Sequence, residues 1–186
     1  FLVNTEFSSR NSAIAPMIFL NRYVPLSFTS MDLFEENYKK SYNSNDLVMS
    51  NPSFNMQTQM FYKISEKWTS QTVLSRSSTK TYGYYSYLWD AGDGDQFGRF
   101  ISKGNGQTNT TDIQQNFIGD FKIGGLRNRL IVGVDYFNSN IQSGSSGWVA
   151  NGVVSLKNQT DTGDLTEAGV DDLLKGTFTG NSLGET

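Results

Sequence analysis

The densest group of chemically useful side chains is aromatic. Tyr82, Tyr84, Tyr85, Tyr87 and Trp89 fall within the single run YGYYSYLW. Such rings offer flat apolar faces for stacking and polar rims for hydrogen bonding. Arg99 follows closely, with a guanidinium fork suited to oxygen-rich ligands. Arg22 and Tyr23 form a second arginine–aromatic pair, in the first long loop. These eight residues are the candidate ligand contacts. The tyrosines fit an interfacial girdle at the ends of membrane strands equally well, and an exposed sugar-binding platform or ordinary core packing also fits them.

Other chemistry is thin. The chain has no histidine and no cysteine, which removes the commonest general base, thiolate metal sites and disulfides. A carboxylate-based hydrolase is left with little support, so no enzyme is expected. DAGDGDQ (Asp90 to Gln96) places Asp90, Asp93 and Asp95 together but lacks the EF-hand spacing and its final Glu. The glycines at 92, 94, 98, 104 and 106 make no phosphate loop, because no GK[ST] follows. Asp161, Asp164, Asp171 and Asp172 read as solvated loop surface. Asp120, Lys122 and Asp135 can pair across adjacent strands. A net charge of −3 argues against a nucleic-acid surface, which would be basic.

The elements that position these residues are strands. From Thr111 to Asn140 the sequence reads as a hairpin. Ile113, Gln115, Phe117, Gly119, Phe121 and Ile123 share one face of its first arm, against Asp112, Gln114, Asn116, Ile118, Asp120 and Lys122 on the other. Gly124 and Gly125 open the turn, and Leu130, Val132, Val134 and Tyr136 return on one face. Each arm has about the 9–11 residues that a tilted strand needs to cross a bilayer. The expected strands are 1–8, 54–65, 68–88, 112–123 and 129–140, with loops at 9–53, 89–111 and 141–186. Within the first loop, Pro16 and Pro25 break regular structure. A short helix near 31–39 carries Leu33, Phe34 and Tyr38 and is capped by Thr29 or Ser30. Short hairpin character is expected around Val149 to Leu156 and a helical turn near Val170 to Leu174, with no recognisable final strand.

Short and long connections therefore alternate, which puts every long loop at one end of an up-and-down sheet. Outer-membrane barrels have that asymmetry. Hydrophobic residues at 37% with aromatics at 13% suit a barrel with a polar lumen and aromatic girdles. The fold expected is all-β: an antiparallel up-and-down meander forming part of a transmembrane β-barrel, with long extracellular loops containing short helices. The alternative is a soluble all-β surface adhesin or glycan-binding module.

Several segments also resemble a known family. NPSFNMQTQMFYKISEKWTSQTVLSRSS, YYSYLWD, DIQQNFIGDFKIGGLRNRLIVGVDYFN, FLNRYVPLSF and NYKKSYNSNDL are similar to TonB-dependent outer-membrane receptors, siderophore-receptor type, of Bacteroidetes-like bacteria. The resemblance covers most of residues 1–140. It implies a mid-barrel fragment of an outer-membrane transporter that imports ferric-siderophore complexes, energised by the TonB system through a plug that these residues do not include. Iron then enters only inside a chelate substrate, and no resident cofactor is implied. The partners implied are a ferric siderophore, the TonB complex and outer-membrane lipid.

Overall fold

Period-two alternation commits the sheet to one register, because a one-residue slip would turn every apolar side chain to the polar face. The computed structural model describes residues 1–24, 30–92 and 95–185. Pro25, Thr29, Asp93 and Gly94 lie outside them, as do the side chains of Leu33 and of residues 180–185. The chain is all-β and mostly antiparallel, in one unclosed sheet.

The elements in order are β1 (Leu2–Ser8), β2 (Asn11–Ala13), β3 (Met17–Phe19), α1 (Asp32–Glu36), β4 (Val48–Ser50), β5 (Ser53–Lys63), β6 (Trp68–Asp90), β7 (Gln96–Ile123), β8 (Leu126–Ser146), β9 (Val149–Ser155), β10 (Thr160–Asp161), α2 (Glu167–Leu174) and β11 (Phe178–Glu185). The main path runs β1-β5-β6-β7-β8-β11. β5 and β7 are therefore not neighbours; β6 lies between them.

Two expected loops are strand instead. β6 and β7 pair without a break from Trp68–Gly119 to Asp90–Phe97, so most of 89–111 belongs to long hairpin arms joined by a short connection at 91–95. The region 141–186 contributes the end of β8, then β9, β10, α2 and β11. β11 hydrogen-bonds to the upper edge of β8, a partner that its Gly- and Ser-rich sequence did not reveal. The first loop holds β2, β3 and β4, which extend the sheet along β6. α1 begins after Met31 without a side-chain cap; Ser30 Oγ instead donates to Asp32 Oδ2 at 2.7 Å.

Glycine decides two local geometries. Gly124 and Gly125 have φ of +56° and +84°, the pair of positive values that a tight hairpin turn demands. Gly83 has φ +137°, and a Cβ there would lie 2.1 Å from the Val48 carbonyl oxygen, so only glycine lets β4 dock on β6.

Directly opposed residues in an antiparallel ladder share a face, so the register assigns faces across the whole sheet. Phe54, Met60, Trp68, Leu74, Ile113, Phe117, Leu130, Val132 and Val134 fall on one face. Asn55, Gln57, Gln71, Asp112, Gln114, Asn116, Asp120, Arg129 and Asp135 fall on the other. In the half of the sheet nearer the tight turns nothing described covers the apolar face: Val134 is 72% exposed and Val132 54%. The buried core lies almost wholly in the opposite half. Leu47, Tyr84, Ile101, Val170 and Leu174 form one cluster, and Leu88, Phe97, Val154 and Leu156 another.

Across the polar face, Asp120 is held by Arg127 and Arg129, rather than by the expected pairing with Lys122 and Asp135. Register explains this, since Asp120 stands opposite Arg129 and next to the turn.

Candidate functional site

Alternation splits the tyrosine run in two. Tyr82 and Tyr84 share the face that is apolar lower down, whereas Tyr85, Tyr87 and Trp89 lie on the other. The five rings therefore do not form one site.

Tyr84 is buried and belongs to an anchor. Its hydroxyl donates to Asp171 Oδ1 of α2 at 2.7 Å, and Lys103 Nζ donates to Tyr84 Oη at 2.9 Å and to both Asp171 oxygens. Burial pushes the Tyr84 phenol up to about 12, with the Lys103 hydrogen bond opposing and the Asp171 bond adding. Burial alone would raise the Asp171 carboxyl, but the hydrogen bonds from Lys103 and Tyr84 outweigh it and hold the group low. For Lys103, burial alone would lower the ammonium, yet its bonds to Asp171 and Tyr84 leave it raised.

These shifts fix a pH window for the docking of α2. The Asp171 contribution is present above the unfolded carboxylate value of about 4 and is lost as pH falls through the lower folded value. The Tyr84 and Lys103 contributions are present below about pH 10 and are lost as pH rises through the raised folded values. A fluorophore on Ala168→Cys in α2, in a chain with no other cysteine, should report steady docking across neutral pH and release at both extremes. Unchanged anisotropy from strong acid to strong alkali would contradict this.

Arg99, expected to face a ligand, is fully buried. Its guanidinium makes a bidentate pair with Asp161, while Nε donates to the Asn151 carbonyl at 3.1 Å and Nη1 to the Tyr42 carbonyl at 3.1 Å. Tyr42 sits at φ +47°, an uncommon backbone for a bulky residue. A Cβ on Gly163 would come within 2.2 Å of Arg99 Nη2, so the clamp is closed by glycine on that side. Arg99 ties β7, β9, β10 and the first loop together, and with the side chain fully buried it is not presented to a ligand.

Arg22 and Tyr23 do pair, Nη2 donating to the hydroxyl at 2.8 Å with the guanidinium 4.9 Å from the ring centre. Both project outward, with Tyr23 78% exposed. In the acidic loop, Asp90 Oδ1 accepts from the Gly92 amide at 2.8 Å, and Asp95 Oδ1 accepts from Ser155 Oγ and the Lys157 amide. Those carboxylates close turns. Among the described residues no cluster of acidic groups is arranged to hold a metal ion.

Tyr85, Tyr87 and Trp89 do gather into a platform, joined by residues that the sequence did not single out. Tyr87 stacks on Phe100 at 5.0 Å and meets Trp148 edge-on at 4.8 Å. Phe19 packs against Tyr87 at 5.5 Å and Trp89 at 6.4 Å, brought there by the parallel pairing of β3 with β6. Beside this group lies a concavity of about 430 Å³ floored by Thr81, Tyr85, Gly104, Gly106, Ser143 and Ser145, with Thr179 at its rim. A Cβ on Gly104 would meet Tyr85 Cε2 at 2.9 Å, so glycine lets that ring lie down on the sheet. Phe100 had a findable signal only through register, as the residue opposite Tyr87; Phe19 and Trp148 had none.

Comparison with protein-family models, with curated proteins and with solved structures gives no match. The class that fold and site define is an all-β protein with an open antiparallel sheet and an aromatic platform at one end.

Proposed function

We propose that the chain is a wall segment of an outer-membrane β-barrel transporter of the TonB-dependent, siderophore-receptor type, which binds ferric-siderophore complexes and imports them. One observation carries the membrane part: the uncovered apolar face runs obliquely across the strands. The single ladder row Phe7–Phe54–Ser78–Asn109–Asn140 starts apolar at β1 and β5 and ends polar at β7 and β8. Nearer the tight turns, the apolar side chains Phe117, Phe121, Leu126, Leu130 and Val132 take over on β7 and β8. Barrel strands tilt by about 35–45°, so a lipid band level with the membrane must climb from strand to strand in this way.

Two further features support the reading. The tight turns at 64–67 and 124–125 lie at one end, and the folded extensions lie at the other. The residues quoted above resemble the receptor family and supply the substrate class. Lumen and lipid then take the polar and apolar faces respectively, and the platform of Tyr85, Tyr87 and Trp89 faces the lumen on the extracellular side. Energy coupling belongs to the receptor's plug and its TonB contact, not to these residues. A soluble glycan-binding module would have to cover the apolar face itself, because contiguous patches of this kind on soluble monomers are uncommon.

The test is folding with and without a bilayer. Added from urea to phospholipid vesicles, the chain should gain sheet circular dichroism and co-float with the lipid; diluted into water alone, it should aggregate. A folded, monodisperse chain in water without lipid or detergent would sink the proposal.

A further inference from the structure

Among the described residues, those lining the concavity, Thr81, Tyr85, Ser143, Ser145 and Thr179 with their glycine neighbours, include no charged side chain, nor does the adjoining aromatic group around Tyr87. The cations nearest in the register, Lys80, Arg99 and Lys103, stand on the opposite face. Arg99 and Lys103 are engaged there, by Asp161 and Asp171. An anionic ligand seated on this surface would give up hydration and find no counter-charge among the described lining residues, which is costly in a partly desolvated site. A neutral ligand loses much less and gains ring stacking and hydroxyl hydrogen bonds.

We infer that this platform takes a charge-neutral ferric chelate, in which three singly charged bidentate groups of the hydroxamate kind balance Fe³⁺, and discriminates against trianionic tris-catecholate complexes. The inference rests on the transporter reading above and adds the ligand class to it. Tyr85, lying flat over Gly104, and Tyr87, braced by Phe100 and Trp148, supply the stacking surfaces. Ser145 supplies a neutral hydroxyl, and Thr81 Oγ1, which gives its proton to Asn51 Oδ1 at 3.0 Å, supplies an acceptor.

The protein carries its own probe. Two of its three tryptophans, Trp89 and Trp148, belong to the platform, while Trp68 lies at the turn end of β6. The 186-residue chain carrying Trp68→Phe, folded in detergent micelles, is titrated with a neutral ferric tris-hydroxamate and with a ferric tris-catecholate. The neutral complex should quench tryptophan emission saturably and bind at least about tenfold more tightly than the trianion, a difference of about 1.4 kcal/mol. Tyr87→Ala should weaken it by roughly tenfold, the loss of one stacked ring. Ser145→Lys, which adds a cation to the floor, should narrow or reverse the preference. Tighter binding of the tris-catecholate, or no saturable binding of either complex, overturns the inference. Vesicle insertion measured on the same preparation shows separately whether the transporter reading stands.

Discussion

Replacing Arg99 by methionine is expected to cost about 3–5 kcal/mol, the penalty of stranding the partners of a buried ion pair. Methionine fills much of the arginine volume, so the loss falls on polar groups rather than on packing. Asp161, only 24% exposed at its side chain, would lose its ion-pair partner, and the carbonyls of Asn151 and Tyr42 would lose their donor. The damage should be local. β9, β10 and the first loop meet at this guanidinium, whereas the β5–β8 ladders do not depend on it, and proteins open in such cooperative units. Hydrogen exchange should therefore accelerate across 149–163 while β7 and β8 near the turn stay protected. Arg99→Met with Asp161→Leu should recover part of the loss, because removing both charges leaves neither stranded. A single-substitution cost below about 1 kcal/mol would mean that the pair behaves as a surface salt bridge and would return Arg99 to the ligand candidates.

The second large effect belongs to the apolar face. Val132 stands directly opposite Phe117 near the middle of the uncovered band, so Val132→Arg should lower the free energy of folding into a bilayer by about 2–4 kcal/mol. Gln114→Arg, on the other face and opposite Asp135, should be close to neutral. The contrast between the faces is the informative quantity, since both variants add the same charge to adjacent strands. Urea titration of vesicle-bound chain measures it. Equal costs for the two variants would remove the distinction between lipid and lumen faces.

The legible parts of the fold were those that alternate and those with obligatory turn chemistry. The hairpin around Gly124–Gly125 alternates apolar and polar residues along most of its length, with Ile118, Ile131 and Phe137 as apolar members of the polar face, and its glycines adopt the left-handed backbone that their position demands. In the upper arm of β7, Phe97 to Ser102 reads as a short strand extension, but KGNGQTNTT beyond it is polar and glycine-rich on both faces, so no periodicity marks it. It is a strand because β6 pairs with it to the end. β11 is another strand by partnership rather than by pattern.

The site was legible to the extent that its aromatic run was visible. The division of that run was also available, since 82 and 84 differ in parity from 85, 87 and 89, but a cluster in sequence is easily read as a cluster in space. The role of Arg99 was not available. Tyr42 and Asp161 lie 57 and 62 residues away, and nothing local announces either contact.

The central claim is that one face of β7 and β8 meets lipid and the other meets a polar lumen. The absence of native cysteine permits single cysteines, spin-labelled one at a time, at 112–121 and 130–137 in vesicle-bound chain. High oxygen and low polar-reagent accessibility is expected at 113, 117, 121, 130, 132 and 134, and the reverse at 112, 114, 116, 120 and 135. Protection of 117, 132 and 134 from both reagents would place those residues in a protein core and contradict that claim.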